Sequence, residues 1–173
     1  MRPSTRSHTT YQSIAAVLLI LGAAMLFPAG ALAKSTKFDG LVMRVHDGDT
    51  LSVVRRGRAE KVKLAGIDCP ELRQSFGSSA RNFTSRLTSG QTVTVRIQGT
   101  DEQGRILGVV ILPDGRSLNR ELVAAGLAWK LKDSKNKQVA QLEKDARRAK
   151  RGLWADAHPT PPWDFRKTKS AKR

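Results

Sequence analysis

Short runs of alternating apolar and polar residues, each closed by a turn, constrain this chain more than any other feature. Phe38 to Val45 reads as a strand that breaks at Asp47-Gly48, a tight-turn dipeptide. Leu51 and Val53 begin a second strand, which ends near Arg56-Gly57-Arg58. Lys61-Val62-Lys63-Leu64 alternates charged and apolar residues, as a half-buried strand must. Gly66 loosens the chain there, and Pro70, which has no N–H to donate, closes the stretch Ile67-Asp68-Cys69-Pro70-Glu71 and opens a loop. From Gly77 to Ser89 the period becomes helical, with Ala80, Phe83, Thr84 and Leu87 on one face. Strand alternation returns at Thr92 to Ile97 and at Ile106 to Leu112. Helices are expected over Asn119 to Ala125 and Val139 to Arg151, stopped by Gly126 and Gly152. Five short strands with a helix inserted after the third predict an α+β fold, a small closed or nearly closed barrel carrying three α-helices.

The ends of the chain follow other rules. Arg2 and Arg6 precede an apolar run from Ile14 through Phe27, and Ala31-Leu32-Ala33 supplies small residues before Lys34. Residues 1–33 therefore have the layout of a secretory signal peptide, and the mature protein is expected outside the cytoplasm, secreted or periplasmic. Left uncut, the stretch from Ile14 to Ala33 would be long enough to anchor the chain in a membrane. After cleavage no stable membrane association is expected, because nothing later is apolar enough to span. Residues 34–157 form the expected domain, and 158–173 read as a proline-rich, basic, extended arm. Cys69 is the only cysteine, so no internal disulfide can form and the fold must stand on its core or on a bound ligand.

The formal charge is +16; losing residues 1–33 removes two arginines and no acid, which leaves +14. So large an excess on so small a body favours polyanions: nucleic acid, anionic lipid or an acidic cell-surface polymer. Against that background two acidic clusters stand out, Asp47-Gly48-Asp49-Thr50 and Asp68-Cys69-Pro70-Glu71, each at the end of an expected strand. Strands that pair as neighbours would bring both to one rim of the barrel. Converging carboxylates repel unless a cation sits among them. Oxygen ligands without a histidine or thiolate pair point to calcium or magnesium rather than zinc. Taken singly, Asp47-Gly48 is a plain hairpin turn and Asp68 a loop cap. A third segment, Asp101-Glu102-Gln103-Gly104-Arg105, puts an arginine, with its planar fork of donors, at the start of a strand.

These three segments, in this order and at these separations, resemble the staphylococcal nuclease family. Leu118 through Ala128 (LNRELVAAGLA), Gly152-Leu153-Trp154 and Pro161-Pro162-Trp163 resemble segments of its secreted bacterial members. The likeness runs from about Phe38 to Phe165, nearly the whole mature domain. It implies an OB-fold barrel with three helices that hydrolyses DNA and RNA with one calcium ion. Asp49 and Asp68 match the metal-binding aspartates, and Cys69 matches the position whose backbone carbonyl also ligates. Glu71 matches the general base or water-positioning glutamate, and Arg105 the later of two phosphate-binding arginines. The earlier arginine is replaced by Lys63, a point charge without a bidentate fork, which implies a lower rate. Glu102 and Gln103 stand where the family has nucleotide-contacting basic and tyrosine residues.

Hydrolysis of a phosphodiester needs water in line with the leaving oxygen, and each implied role answers part of that demand. A metal neutralises a non-bridging oxygen, Glu71 takes or orients the water's proton, and Arg105 with Lys63 balances the growing charge. Arg55, Arg56, Arg58, Arg147, Arg148, Lys150 and Arg151 would draw in the backbone without reading sequence, or simply form solvated faces. The expectation is a monomeric nuclease. Two other readings stand beside it: a catalytically weak nucleic-acid-binding module on the same barrel, and a basic envelope protein whose acidic clusters are mere turns.

Overall fold

The computed structural model describes residues 36–170. The expected signal peptide, residues 1–33, lies outside the described residues. In chain order the elements are β1 (Lys37–Val45), β2 (Thr50–Arg55), β3 (Arg58–Leu64), β4 (Ile67–Asp68), α1 (Gly77–Thr88), β5 (Thr92–Thr100), β6 (Ile106–Ile111), α2 (Leu118–Ala124), β7 (Trp129–Lys130), α3 (Lys137–Arg148), a 3-10 turn (Gly152–Ala155) and α4 (Pro162–Ser170). Among these helices none is long and apolar enough to cross a membrane.

Five strands close a barrel in the order β1-β2-β3-β6-β5. Antiparallel pairing joins β1 to β2, β2 to β3, β5 to β6 and β1 to β5, while β3 runs parallel to β6 and closes the ring. The two-residue period sends Leu51, Val53, Val62, Leu64, Val93, Val95 and Val110 inward, where each is almost fully buried. A fully buried Val or Leu contributes about 1.5–3 kcal/mol, and this core, not a covalent link, holds the fold: Cys69 is a free, buried thiol. The barrel expected from alternation is the barrel observed, and it has the OB topology.

Three departures from the sequence reading have local causes. First, the stretch after Leu64 does not extend the third strand. Gly66 turns the chain at φ 75°, and Ile67–Asp68 pairs instead with Trp129–Lys130 as a separate two-stranded sheet. Second, the third long helix starts earlier and stops earlier than expected. Asn136 caps it by accepting from the Gln138 and Val139 N–H groups, and Lys150, at φ 50°, ends it before Gly152 is reached.

The third correction concerns the tail, which is no extended arm: Pro162–Ser170 is a fourth helix. A proline at the first helical position gives up an N–H that has no intrahelical partner in any case. Pro162 is buried, and Trp163 packs edge-on to Trp129 with ring centroids 5.8 Å apart. Trp129, Ala146, Leu153 and Trp154 form a second apolar cluster, and Arg147 lies over the rings of Trp129 and Trp154 at 4.9 and 3.7 Å.

Candidate active site

Asp49 stands at the turn between β1 and β2, and its position is set by close backbone approach. Asp47 Oδ1 accepts the Asp49 N–H at 3.0 Å, which tightens the turn. A Cβ at Gly48 would meet the Cβ atoms of Ala80 and Cys69 at 2.7 Å, so only glycine lets α1 and the loop after β4 close on this turn. Thr84 of α1 donates to the Gly48 carbonyl at 2.6 Å, and the Leu64 N–H donates to the Asp49 carbonyl at 2.8 Å.

The second acidic cluster meets the first here. Asp49 Oδ2 accepts the Cys69 N–H at 2.6 Å. Asp49 Oδ1 accepts from Lys63 Nζ at 2.7 Å, and Asp68 Oδ1 accepts from the same ammonium at 3.0 Å. The side chains of Asp49 and Asp68 are 2 % and 4 % exposed, and that of Lys63 is 18 % exposed. Beyond Pro70, Gln74 braces Glu71 twice: its N–H donates to the Glu71 carbonyl at 2.8 Å, and its Oε1 accepts the Glu71 N–H at 3.1 Å. The first turn of α1 passes so close that a Cβ at Gly77 would lie 1.9 Å from the Glu71 carbonyl oxygen.

Asp49, Lys63, Asp68, Cys69 and Glu71, all singled out in the sequence, thus lie in one connected cluster. Arg105 does not join it by hydrogen bond or ion pair among the described residues. Its Nε donates to Asp101 Oδ2 at 2.7 Å and its N–H to Asp101 Oδ1 at 2.9 Å. The parallel register pairs Lys63 with Leu107. Arg105 itself lies just before β6, in the turn that leads into it.

A residue not singled out completes the cluster. Arg166 of α4 donates from Nη2 to Asp68 Oδ2 and from Nη1 to Glu71 Oε1, each at 2.7 Å. In the sequence it reads as part of a basic end, since nothing local ties it to residues far upstream. Its one clue is Trp163, an apolar anchor one helical turn before it. Other basic candidates take structural places: Arg147 packs on tryptophans and pairs with Glu143, Arg148 pairs with Asp145, and Arg55 lies over the Phe38 ring.

The electrostatics follow from burial. Burial pushes the Asp49 carboxyl up to about 7, against the pull of Lys63 and with help from Asp47 and Asp68. Burial works against the Lys63 charge, but Asp49 and Asp68 outweigh it and raise its pKa above the usual lysine value. Burial likewise opposes the Arg166 charge, and the hydrogen bonds to Asp68 and Glu71 overcome it. Burial pushes the Cys69 thiol up, so it stays protonated and inert. Beside the cluster a cleft of about 680 Å³ opens; its lining includes Lys63, Arg96, Gln98, Asn119, Arg120 and Lys135. Apolar residues and one acid, Asp133, share these walls, but the cations outnumber the acid and suit a polyanion.

A small OB-type barrel with acids and cations gathered at one rim, flanked by a basic cleft, is the build of a nucleic-acid hydrolase. The profile of the family Staphylococcal nuclease homologue matches residues 61–156. An uncharacterized endonuclease of Escherichia coli is 43 % identical over 131 residues, covering 75 % of this chain and 86 % of that protein. Micrococcal nuclease of Shigella flexneri is 38 % identical over 141 residues, covering 75 % and 81 %. An uncharacterized endonuclease of Haemophilus influenzae is 31 % identical over 152 residues, covering 87 % and 85 %. The chain belongs to the staphylococcal nuclease family and is a nuclease.

Proposed function

We propose that this nuclease is calcium-dependent, exported, and cuts DNA or RNA by attack of a water molecule on the phosphodiester. One observation supports a metal at this place: two almost fully buried carboxylates, Asp49 and Asp68, converge on the ammonium of Lys63. Burying both acids is costly unless positive charge lies between them, and their oxygens suit a hard cation. Among the described residues, no group of three or more His, Cys, Asp or Glu side chains is arranged to hold a metal. The family resemblance implies that an ion would take the two carboxylates and the Cys69 carbonyl, with water completing its shell. When bound it would neutralise a non-bridging phosphate oxygen and lower the pKa of a coordinated water.

The remaining roles fall to the chain itself. Glu71, half-exposed and outside the Asp49–Asp68 pair, accepts a proton from the attacking water. The water oxygen forms a new bond to phosphorus, one ester oxygen leaves and takes up a proton, and the products are a phosphomonoester and an alcohol. Lys63 and Arg105 balance the charge that builds on the non-bridging oxygens. The cationic cleft walls hold the backbone without regard to sequence. Export rests on the charged start, apolar run and Ala31-Leu32-Ala33 of the leader.

The test is cleavage of single-stranded DNA by the mature domain with calcium and again with a chelator. Chelator-sensitive cutting is expected. Binding without cutting would make the protein a binding module, and a Glu71→Ala variant as fast as wild type would refute the assignment of Glu71.

A further inference from the structure

We propose that Arg166, carried on the terminal helix, is a phosphate-contacting catalytic residue of this nuclease. The inference rests on the reading of Asp68 as a metal ligand and Glu71 as the base.

The structure delivers Arg166 to the site by a closed circuit of contacts. Asp68 pairs with Trp129 in the small sheet, and Trp163 packs against Trp129. One helical turn beyond Trp163, the guanidinium returns to Asp68. Gln74, which braces Glu71, also donates from Nε2 to the Thr160 carbonyl just before α4. The helix is therefore tied at its start to the loop that carries the base, and Arg166 is positioned rather than free to wander.

Charge then argues for its partner. Three acids, Asp49, Asp68 and Glu71, are bonded to two cations, Lys63 and Arg166. A divalent ion held by Asp49 and Asp68 would keep Asp49 ionised and add positive charge to the cluster, which would then favour an arriving phosphodiester anion. With an ion on Asp68, the fork of Arg166 would give up its Asp68 contact, and an arriving phosphate would offer a replacement anion. Guanidinium matches two phosphate oxygens as well as it matches two carboxylates. The side chain of Arg166 is 49 % exposed, so substrate can reach it. Moving the fork from Glu71 to phosphate also frees the Glu71 carboxylate to take the water's proton, so arrival of substrate readies the base.

The test compares wild type, Glu71→Gln, Arg166→Ala and Arg166→Lys on single-stranded DNA at saturating calcium. Arg166→Ala is expected to lower kcat about 100-fold, the effect of losing one placed donor to a developing oxyanion. KM should change far less, and Arg166→Lys should keep part of the rate. Added guanidinium ion should recover part of the Arg166→Ala rate and none of the Glu71→Gln rate, while Tm moves by only a few degrees, about what an exposed ion pair is worth. An unchanged rate, a raised rate (the mark of an inhibitory strap over the site), or a loss that guanidinium fails to recover would each overturn the proposal. If Glu71→Gln cuts as fast as wild type, or chelation leaves wild type active, the underlying reading of the site fails and this one with it.

Discussion

The ammonium of Lys63 lies 2.7 Å from Oδ1 of Asp49, and both groups are largely withdrawn from water. This pair is a finely balanced one: the lysine is the resident cation in a place where a metal is proposed to bind. Removing one partner of a buried pair typically costs about 3–5 kcal/mol. Lys63→Met is therefore expected to lower Tm sharply in chelator, and calcium should raise the Tm of this variant by more than it raises that of wild type. Thermal melts with and without calcium measure both effects. Lys63→Arg restores a planar fork and is expected to raise turnover; an unchanged or lower rate would show lysine to be a working substitute.

Glu71 separates catalysis from stability. Its side chain is 38 % exposed, so Glu71→Gln should leave Tm nearly unchanged. Loss of a general base should nevertheless slow cleavage about 10²–10⁴-fold. Single-turnover cleavage at saturating calcium, with a melt on the same sample, reads both.

Gly77 holds the loop of the base by its lack of a side chain. Its missing Cβ would lie 1.9 Å from the Glu71 carbonyl oxygen. Gly77→Ala must push the Glu71–Gln74 loop away from α1. A stability loss of about 1–3 kcal/mol, the usual cost of overpacking, is expected together with slower cutting. Denaturant melts and the cleavage assay check this, and a Gly77→Ala protein with wild-type rate would show the loop to be tolerant.

His46 gives the protein an acid-side weakness. Burial, with Lys61, Arg44 and Arg81 nearby, holds its pKa below 6.5, although Asp47 pulls the other way. The unfolded chain thus takes up a proton more readily than the folded one near pH 6. The stabilisation is fully present above the unfolded value and is lost as pH falls below it. His46→Gln should flatten this part of the decline in Tm between about pH 7 and pH 5, as measured by melts across that range.

Much of the site was legible in the chain. Asp49, Lys63, Asp68, Cys69 and Glu71 each sit beside a strand end whose period and turn chemistry are local, and antiparallel pairing of β2 with β3 brings those ends together. The ion pair of Arg105 with Asp101 lies within one hairpin, yet the spacing alone did not say whether the arginine would face its own turn or the acids.

Arg166 and α4 belong to the other category. By itself the sequence determined the barrel, its inward-facing core and the acids at one rim, because a two-residue period and a glycine turn act over a few residues and need no distant partner. Only the tertiary structure decided which cations meet those acids. That choice depends on Trp163 finding Trp129 and on Ile67–Asp68 pairing with a strand some 60 residues later. Such long-range burial leaves no periodic trace in the segments it joins.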